Sequence, residues 1–533
     1  MSKLFKIVAL VLLLVMTIVM VSACSGISKI DGDGDTNKSA EVQGDNAGTK
    51  LAKESIATET PKEEPLEEVT LKFWFPDTKK SATDDVWNAI SEKTKDKLNA
   101  KFEINYAAWG DYQSKISLLA ASGDNYDLNF DASWLMYNQL ANKGAYLGLN
   151  DLLPKYAPKL YEKYKNLNYI PSMTYNGEII CLPWTLSKNG RPFLIYRADI
   201  VKKLNLTVPE KGTIEDVDRL LQAVQKANLG ITTFGFDNFE GGFILQMLCP
   251  KYEYCTWNNH MLTFSLNDDN CKVIPFEQTE AFKEAVQYAK KWTEEGIMPK
   301  NLMVDNTKMQ QNFDAGKLFA MHGNYEMAYI NEAFTDESYE KGAMELYADK
   351  KYVNDSPRGN LVCINKNAAN PERTLMFLEL MSNDQEIYDM VIYGIEGATY
   401  MLDGDIAQVP AGMDPNNSNY FGWSGQWGFW RAEFMRPDTT YPKDFWKGMT
   451  KYASENPANI SHKIADMSID TTNIKNEIAK RDSLYNDMGK LLIYGNVKDI
   501  DKSLAEYIEK QKAAGLDKIL EEYQKQVDAA LAK

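Results

Sequence analysis

The sequence predicts an α/β protein made of two lobes joined by crossing strands. From Val69 onward, strand-like apolar runs alternate with amphipathic helical ones, and repeated βαβ units imply a parallel sheet with right-handed crossovers. About 465 residues follow Glu68, enough for two domains of ordinary size. The succession Gly177-Glu-Ile-Ile-Cys-Leu-Pro-Trp184 and Phe193-Leu-Ile-Tyr-Arg-Ala-Asp199 reads as the passage from one lobe into the other.

Val69–Phe75 is an apolar, β-prone run that Pro76-Asp77 ends. A helix fits 84–98, with Val86, Ile90 and Leu98 among its apolar positions, and 101–109 is a second strand. A further helix over 111–121 carries Ile116, Leu119 and Ala120 on one side, Gly123 closes it, and 126–130 is a third strand. Ligands of parallel sheets gather at the carboxyl ends of the strands. Those ends carry Trp74, Phe75 and Asp77, then Trp109, then Asp131 and Trp134. For any one tryptophan, packing in the core is the plainer alternative.

In the second lobe, Thr213 and Asp216 make a capping-box-like pair before Val217, Leu220, Leu221 and Val224. Phe234 to Asn238 reads as a strand end and 277–296 as a long helix with Phe282, Ala285, Val286, Ala289 and Trp292. The segment 313–325 reads as helix end, turn, strand and glycine loop, expected to return toward the first lobe. Asn370-Pro371-Glu372 opens another helix, with Asn as cap and Pro in the first turn. Two helices, 503–514 and 516–531, flank Gly515 near the end. The expected division is 69–190 and 191–310 for the first parts of the two lobes and 311–400 for a return segment with the hinge. An aromatic loop and helical region shared between lobes then fills 401–533.

Ahead of these elements, Lys3 and Lys6 precede an uncharged apolar run, Ile7 to Val21, the pattern of an export signal. At about 15 residues the run falls short of the roughly 20 that a spanning helix needs. Val21-Ser22-Ala23-Cys24 resembles the lipobox of bacterial lipoproteins, which implies removal of residues 1–23 and diacylation of Cys24. The implied location is the outer face of the cell membrane, held by lipid. Residues 24–68, rich in Gly, Ser, Thr, Asp and Lys, should form a disordered tether with an end-to-end distance of about 35 Å.

Composition excludes several classes. The net charge of −16 argues against nucleic acid as a partner, because phosphate binding needs a basic face. Besides Cys24 there are Cys181, Cys249, Cys255, Cys271 and Cys363, an odd set that does not make a disulfide framework. Cys249 and Cys255 could pair in an oxidising compartment or remain buried thiols. With only His260, His322 and His462 present, and no ligand spacing around them, no metal or cofactor is expected.

Lys72-Phe-Trp-Phe-Pro76, Gly177-Glu-Ile-Ile-Cys-Leu-Pro183, Phe313-Asp-Ala-Gly-Lys317 and Tyr393-Gly-Ile-Glu-Gly397, in this order, resemble the extracellular solute-binding proteins of Gram-positive ABC importers. The block Ala513-Ala-Gly-Leu-Asp-Lys518 points to their LipO-like lipoprotein branch. The resemblance implies a two-lobe, periplasmic-binding-protein-like fold of type II. It also implies a monomer, not an enzyme, that captures a small solute between its lobes and hands it to ABC permease subunits. A flat aromatic face suits the C–H surface of a sugar ring, and Asp, Glu, Asn and Arg suit its hydroxyls, so a saccharide is the expected solute. The candidate contacts are Trp74, Trp109, Asp131 and Trp134 on the first lobe, Trp184 and Arg197 near the crossing, and Asp237 and Asn238 on the second lobe. Asn324, Tyr325, Glu396, Trp427 and Arg431 complete the set, the last two within Tyr420–Arg431, the most aromatic stretch of the chain. An oligopeptide-binding lipoprotein is the alternative, and an exported carbohydrate-active enzyme with two flanking carboxylates a more distant one.

Overall fold

Two five-stranded sheets organise the chain in the computed structural model, which describes residues 66–236, 243–255, 261–304, 309–331, 333–414, 417–465, 467 and 469–532. The export signal, Cys24 and the tether up to Pro65 lie outside the described residues. In the first lobe, β1 (Val69–Pro76) pairs in parallel with β2 (Ala100–Ala107) over its whole length, and with β3 (Leu128–Asp131) at Phe73↔Leu128. All of β3 is buried, as in strands covered on both faces, whereas β1 buries the alternate residues Leu71, Phe73 and Phe75 and leaves the other face partly exposed.

The helix expected over 84–98 is two helices, Thr83–Lys93 and Lys95–Leu98. They part at Thr94, whose hydroxyl donates to the Ile90 carbonyl at 2.8 Å. The second strand stops at Ala107, so Trp109 opens the helix Trp109–Ser122 instead of closing the strand, and Gly123 ends that helix at φ 74°. Segment Leu182–Pro183 is β4, an edge strand of the first sheet opposite β2.

After the crossing come β5 (Phe193–Arg197), β6 (Lys211–Gly212) and β7 (Thr232–Gly235), then β8 (Leu318–Gly323) and β9 (Lys341–Leu346), in the order β6-β9-β5-β8-β7. The expectation that 313–325 returns to the first lobe is therefore corrected. Strand β8 lies inside the second sheet, antiparallel to β5 through Gly323↔Phe193 and parallel to β7 through Ala320↔Phe234. Its Leu-Phe-Ala-Met run is buried throughout, and such a run fits the middle of either sheet equally well. The return comes later, at β10 (Leu361–Ile364), which pairs antiparallel with β3 and β4.

Other local expectations refine in the same way. Thr213 does donate its amide to Asp216 at 3.0 Å, closing the capping box. The long second-lobe helix starts at Glu280, because the Thr279 hydroxyl caps it by accepting from the Phe282 amide at 3.2 Å. Asn370 occupies the cap position before Pro371, yet its side-chain amide donates to the Thr70 carbonyl at 3.3 Å and does not cap.

Each lobe has its own hydrophobic core. The first gathers Phe73, Trp87, Phe130 and Phe377, and reaches Tyr420, Trp423 and Phe429 of the aromatic stretch. The second gathers Phe234, Phe282, Trp292 and Phe319. The final helices, Ile500–Ala513 and Leu516–Leu531, turn at Gly515 with φ 101°. They extend the second lobe: Leu504 and Tyr507 join its core, and Leu516, Ile519, Tyr523 and Val527 join a smaller cluster with Cys255 and Cys271. Arg481 ties this region to the second lobe through a buried bidentate pair with Glu277 at 2.7 and 2.9 Å. Cys249 and Cys255 are both buried thiols, in different clusters.

Three segments pass between the lobes: Trp184 to Pro192, Tyr347 to Asn360, and Trp430 to Asp444. Arg191, wholly buried, binds the first two together and to a later loop. It donates to the carbonyls of Tyr347 at 2.6 Å and Lys350 at 2.8 Å and to Asn459 Oδ1 at 2.8 Å, with Glu345 at 3.7 Å. Asn189 donates to Asn354 Oδ1 at 2.7 Å alongside. A buried guanidinium satisfied this fully fixes the relative path of the strands it touches.

Candidate functional site

The carboxyl ends of β1, β2 and β3 converge on one edge of the first lobe, and three tryptophans form a row there. Trp109 stands at the start of its helix, Trp134 just beyond β3, and Trp427 on the 3₁₀ turn Gln426–Phe429. Trp109 lies between the other two, with ring centroids 6.1 Å from Trp134 and 5.8 Å from Trp427 and planes inclined by only 29° and 26°. Buried Phe130 backs all three, at centroid distances of 6.4, 6.4 and 6.2 Å. Trp134 and Trp109 remain 57% and 39% exposed.

Hydrogen bonds at the ring edges fix the row. Trp109 Nε1 donates to Ser424 Oγ at 3.2 Å, and the Ser424 amide donates to Asp77 Oδ2 at 2.7 Å. Trp134 Nε1 donates to the Gly359 carbonyl at 2.6 Å, which anchors the row to the second crossing. With the N–H groups of Trp109 and Trp134 engaged at the edge, their exposed ring surfaces are free for a ligand, and a flat, rigid apolar face is the surface a pyranose C–H side packs on.

A second aromatic group lies at the crossing itself. Trp184 stacks on Trp430 with centroids 5.6 Å apart and planes within 9°. Trp430 leads to Trp446 at 5.2 Å, Trp446 to Tyr441 at 4.3 Å, and Phe445 to Tyr325 of the second lobe at 6.1 Å. Gly359 joins the two groups: it accepts from Trp134, and a Cβ there would sit 3.3 Å from the Trp184 ring. Polar groups bridge the lobes beside these rings. Glu326 of the second lobe accepts from Lys188 Nζ at 3.1 Å and from the Tyr441 hydroxyl at 2.9 Å. Lys188 also lies over the Trp184 ring, with its ammonium 5.3 Å from the centroid. Burial and the Glu326 charge push the Tyr441 hydroxyl well above its ordinary pKa, so it stays a donor.

Around the same crossing, Trp184 Nε1, Arg358 Nε, Asn360 Oδ1 and Gln426 Oε1 are buried without a hydrogen-bond partner among the described residues. Native interiors satisfy nearly all such atoms, and a group left over beside a concave aromatic surface is one a solute or water can engage. The arrangement can hold a ring face-on and meet its hydroxyls at the edge.

The structure sorts the sequence candidates. Trp109, Trp134 and Trp427 come together in the row, and Trp184 and Tyr325 in the aromatic group at the crossing. Trp74 is partly buried within β1, with Lys115 Nζ 5.0 Å over its ring. Asp131 is fully buried and serves the backbone: it accepts from the amides of Ala132 at 2.8 Å and Met136 at 3.1 Å and from the Tyr146 hydroxyl. Desolvation pushes its carboxyl up to about 7 against the pull of those donors.

Arg197 lies at the far end of β5, four residues or about 13 Å along the strand from the crossing. It pairs bidentately with Asp199 at 2.7 Å and sits 3.4 Å over the Tyr339 ring. Asn324 caps the short helix Tyr325–Tyr329 by accepting from the Met327 amide at 3.1 Å. Arg431 is buried, donating to Ser382 Oγ at 2.9 Å and the Trp430 carbonyl at 2.9 Å. Glu396 is exposed on a turn bridged to Tyr400. Asp237 and Asn238 lie outside the described residues. Sequence reasoning missed Lys188, Glu326, Arg358, Gln426 and Tyr441. Only Tyr441 and its neighbour Trp446 gave a signal, as aromatic residues just beyond the 420–431 run.

Among the described residues, no cluster of three or more His, Cys, Asp or Glu side chains is placed to hold a metal ion, and no helix is long and apolar enough to cross a membrane.

Comparison with known proteins places this architecture. Residues 88–398 match the model of the bacterial extracellular solute-binding proteins, and 463–532 match a domain of unknown function. A carbohydrate ABC transporter substrate-binding protein of Streptococcus pneumoniae is 25% identical over 445 residues, 82% of this chain and 86% of that protein. Lipoprotein LipO of Bacillus subtilis is 23% identical over 358 residues, 62% of this chain and 67% of its own length. Among solved structures, an N-glycan transport solute-binding protein from Streptococcus pneumoniae superposes with a TM-score of 0.69 at 21% identity, covering 88% of this chain and all of that one.

Proposed function

The chain belongs to the bacterial extracellular solute-binding protein family, and on that premise we propose that it binds a saccharide between its lobes and delivers it to the permease of an ABC importer. The row Trp134–Trp109–Trp427 carries this reading: three near-parallel indoles backed by a buried Phe130, with Trp134 and Trp109 open to solvent, at the edge where the strands of the first lobe end. The S. pneumoniae relative is a carbohydrate transporter component, which supports the same solute class. Within the proposed site Trp109, Trp134 and Trp427 pack on sugar faces, while Trp184 Nε1, Arg358 and Asn360 offer hydrogen bonds at the base.

Solute that touches both lobes favours the closed arrangement, and the importer reads that population shift. The protein acts as a carrier and not as an enzyme. A glycosidase would need two carboxylates about 5 to 10 Å apart astride the bond. Near the row, Asp131 is buried under backbone donors, Asp77 accepts from Ser424, and Glu326 is held by Lys188 and Tyr441. The lipobox-like Val21–Cys24 segment supports anchoring by lipid at Cys24 on the outer face of the membrane.

Thermal-shift measurement over neutral and acidic mono- and oligosaccharides, with oligopeptides in parallel, tests the proposal. A saccharide at 100 times its Kd adds about 2.7 kcal/mol of stability. Stabilisation by peptides alone would transfer the site to the alternative solute class, and release of shortened sugars would make the protein an enzyme.

A further inference from the structure

A cavity of about 380 Å³ lies on the other side of the turn that carries Trp427, within the roughly 300 to 1,000 Å³ typical of small-ligand pockets. The 3₁₀ turn Gln426–Phe429 separates the two places, so Trp427 joins the tryptophan row while Gln426 and Trp430 line the cavity. Trp430, Trp446 and Tyr441 wall it with rings set at 45° and 47° to one another, a corner and not a stack. Gln426, one of the lining residues, is only 8% exposed, and its amide oxygen has no hydrogen-bond partner among the described residues.

The charges along the wall are already engaged. Arg436 donates through Nε and a terminal nitrogen to Asp389 at 2.9 and 2.7 Å. The Asp438 carboxylate accepts from the Thr440 and Tyr441 amides at 2.7 and 2.8 Å, and desolvation pushes its carboxyl upward. An acidic sugar would bring its carboxylate toward Asp438 with the nearby guanidinium committed elsewhere. A neutral ring meets aromatic faces and a hydrogen-bonding amide.

The outer wall, 438–441, also touches the second lobe. The Asn331 amide donates to the Thr440 carbonyl at 2.7 Å, and Tyr441 donates to Glu326 at 2.9 Å. A unit seated in the cavity therefore packs against a segment already fastened to the opposite lobe.

We propose that this cavity is a second subsite, taking an uncharged pyranose unit of the same ligand whose other units lie on the tryptophan row. The proposal rests on the saccharide reading given above. It makes the solute a neutral oligosaccharide that bends over the turn 426–429.

Calorimetric titration of the full chain with the malto-, cello-, manno- and chito-oligosaccharide series, from one to five units, and the oligogalacturonate series tests it. One neutral series should bind with affinity rising about tenfold beyond two units. Gln426→Ala should remove that gain and leave disaccharide affinity in place, whereas Trp109→Ala should weaken every length. Thr440→Trp, which fills the cavity from an exposed position, should act as Gln426→Ala does and guards against a folding defect in the latter. Affinity independent of length, equal loss at all lengths in both cavity variants, or the same gain with oligogalacturonates would overturn the second subsite while the saccharide reading stands. Absence of binding by all five series would remove both together.

Discussion

Trp184 and Trp430 lie face to face with ring centroids 5.6 Å apart and planes within 9°, the first where the chain leaves the first lobe and the second where the last crossing begins. Two separate passages are thereby packed on one another at the base of the site. Trp184 is almost fully buried, and truncating a buried tryptophan to alanine costs about 3 to 5 kcal/mol. Trp184→Ala should lower the melting temperature by several degrees in calorimetry, and Trp184→Phe should recover most of the loss.

Trp134 makes the opposite case. It is 57% exposed and rests on Phe130 and Trp109. Trp134→Ala should leave thermal stability almost unchanged and weaken saccharide binding about tenfold, near 1.4 kcal/mol. An equal drop in melting temperature and affinity would mark Trp134 as a packing residue.

The Arg481–Glu277 pair is nearly inaccessible to solvent, with side-chain exposures of 2% and 0%. Removing one member strands the other charge in the interior, at about 3 to 5 kcal/mol. Arg481→Met should therefore destabilise strongly, and Arg481→Met with Glu277→Gln should regain a good part of it, as chemical denaturation would register.

Asp131 sets a pH dependence. Burial raises its folded pKa to about 7, above the roughly 3.9 of an unfolded aspartate. The folded state therefore holds this proton more tightly than the unfolded chain. The resulting stabilisation is complete below about pH 4 and is lost as pH rises toward 7. Asp131→Asn keeps an oxygen for the Ala132 and Met136 amides and should flatten the melting-temperature profile over that window. A profile as steep as the wild type's would assign the titration to another group.

The first-lobe order was readable because strand and helix periods differ and because the ends of parallel strands are where ligands sit. Trp109 and Trp134 followed from that rule, though Trp109 sits one element later than expected, on a helix start. Composition alone exposed the 420–431 stretch, since so many aromatics in twelve residues have few uses.

Asp131, Arg197, Asn324 and Arg431 show the limit of that reasoning. Each is a polar side chain near an element end, and each is engaged by backbone amides, carbonyls or a neighbouring charge that its residue type does not reveal. Lys188, Glu326 and Gln426 escaped notice for another reason. They stand on a crossing, a five-residue helix and a 3₁₀ turn, all too short for a periodicity to mark a face, and Lys188 meets Glu326 only after a long stretch of chain has folded.

Arg191 grips the first two passages at once, and the third leans on the first through Trp184 and Trp430. Three strips of backbone clamped side by side resist shear and twist much as a wide strap does, leaving one bending direction compliant. Closure should then proceed along a single reproducible arc, so that every loaded molecule presents the same face.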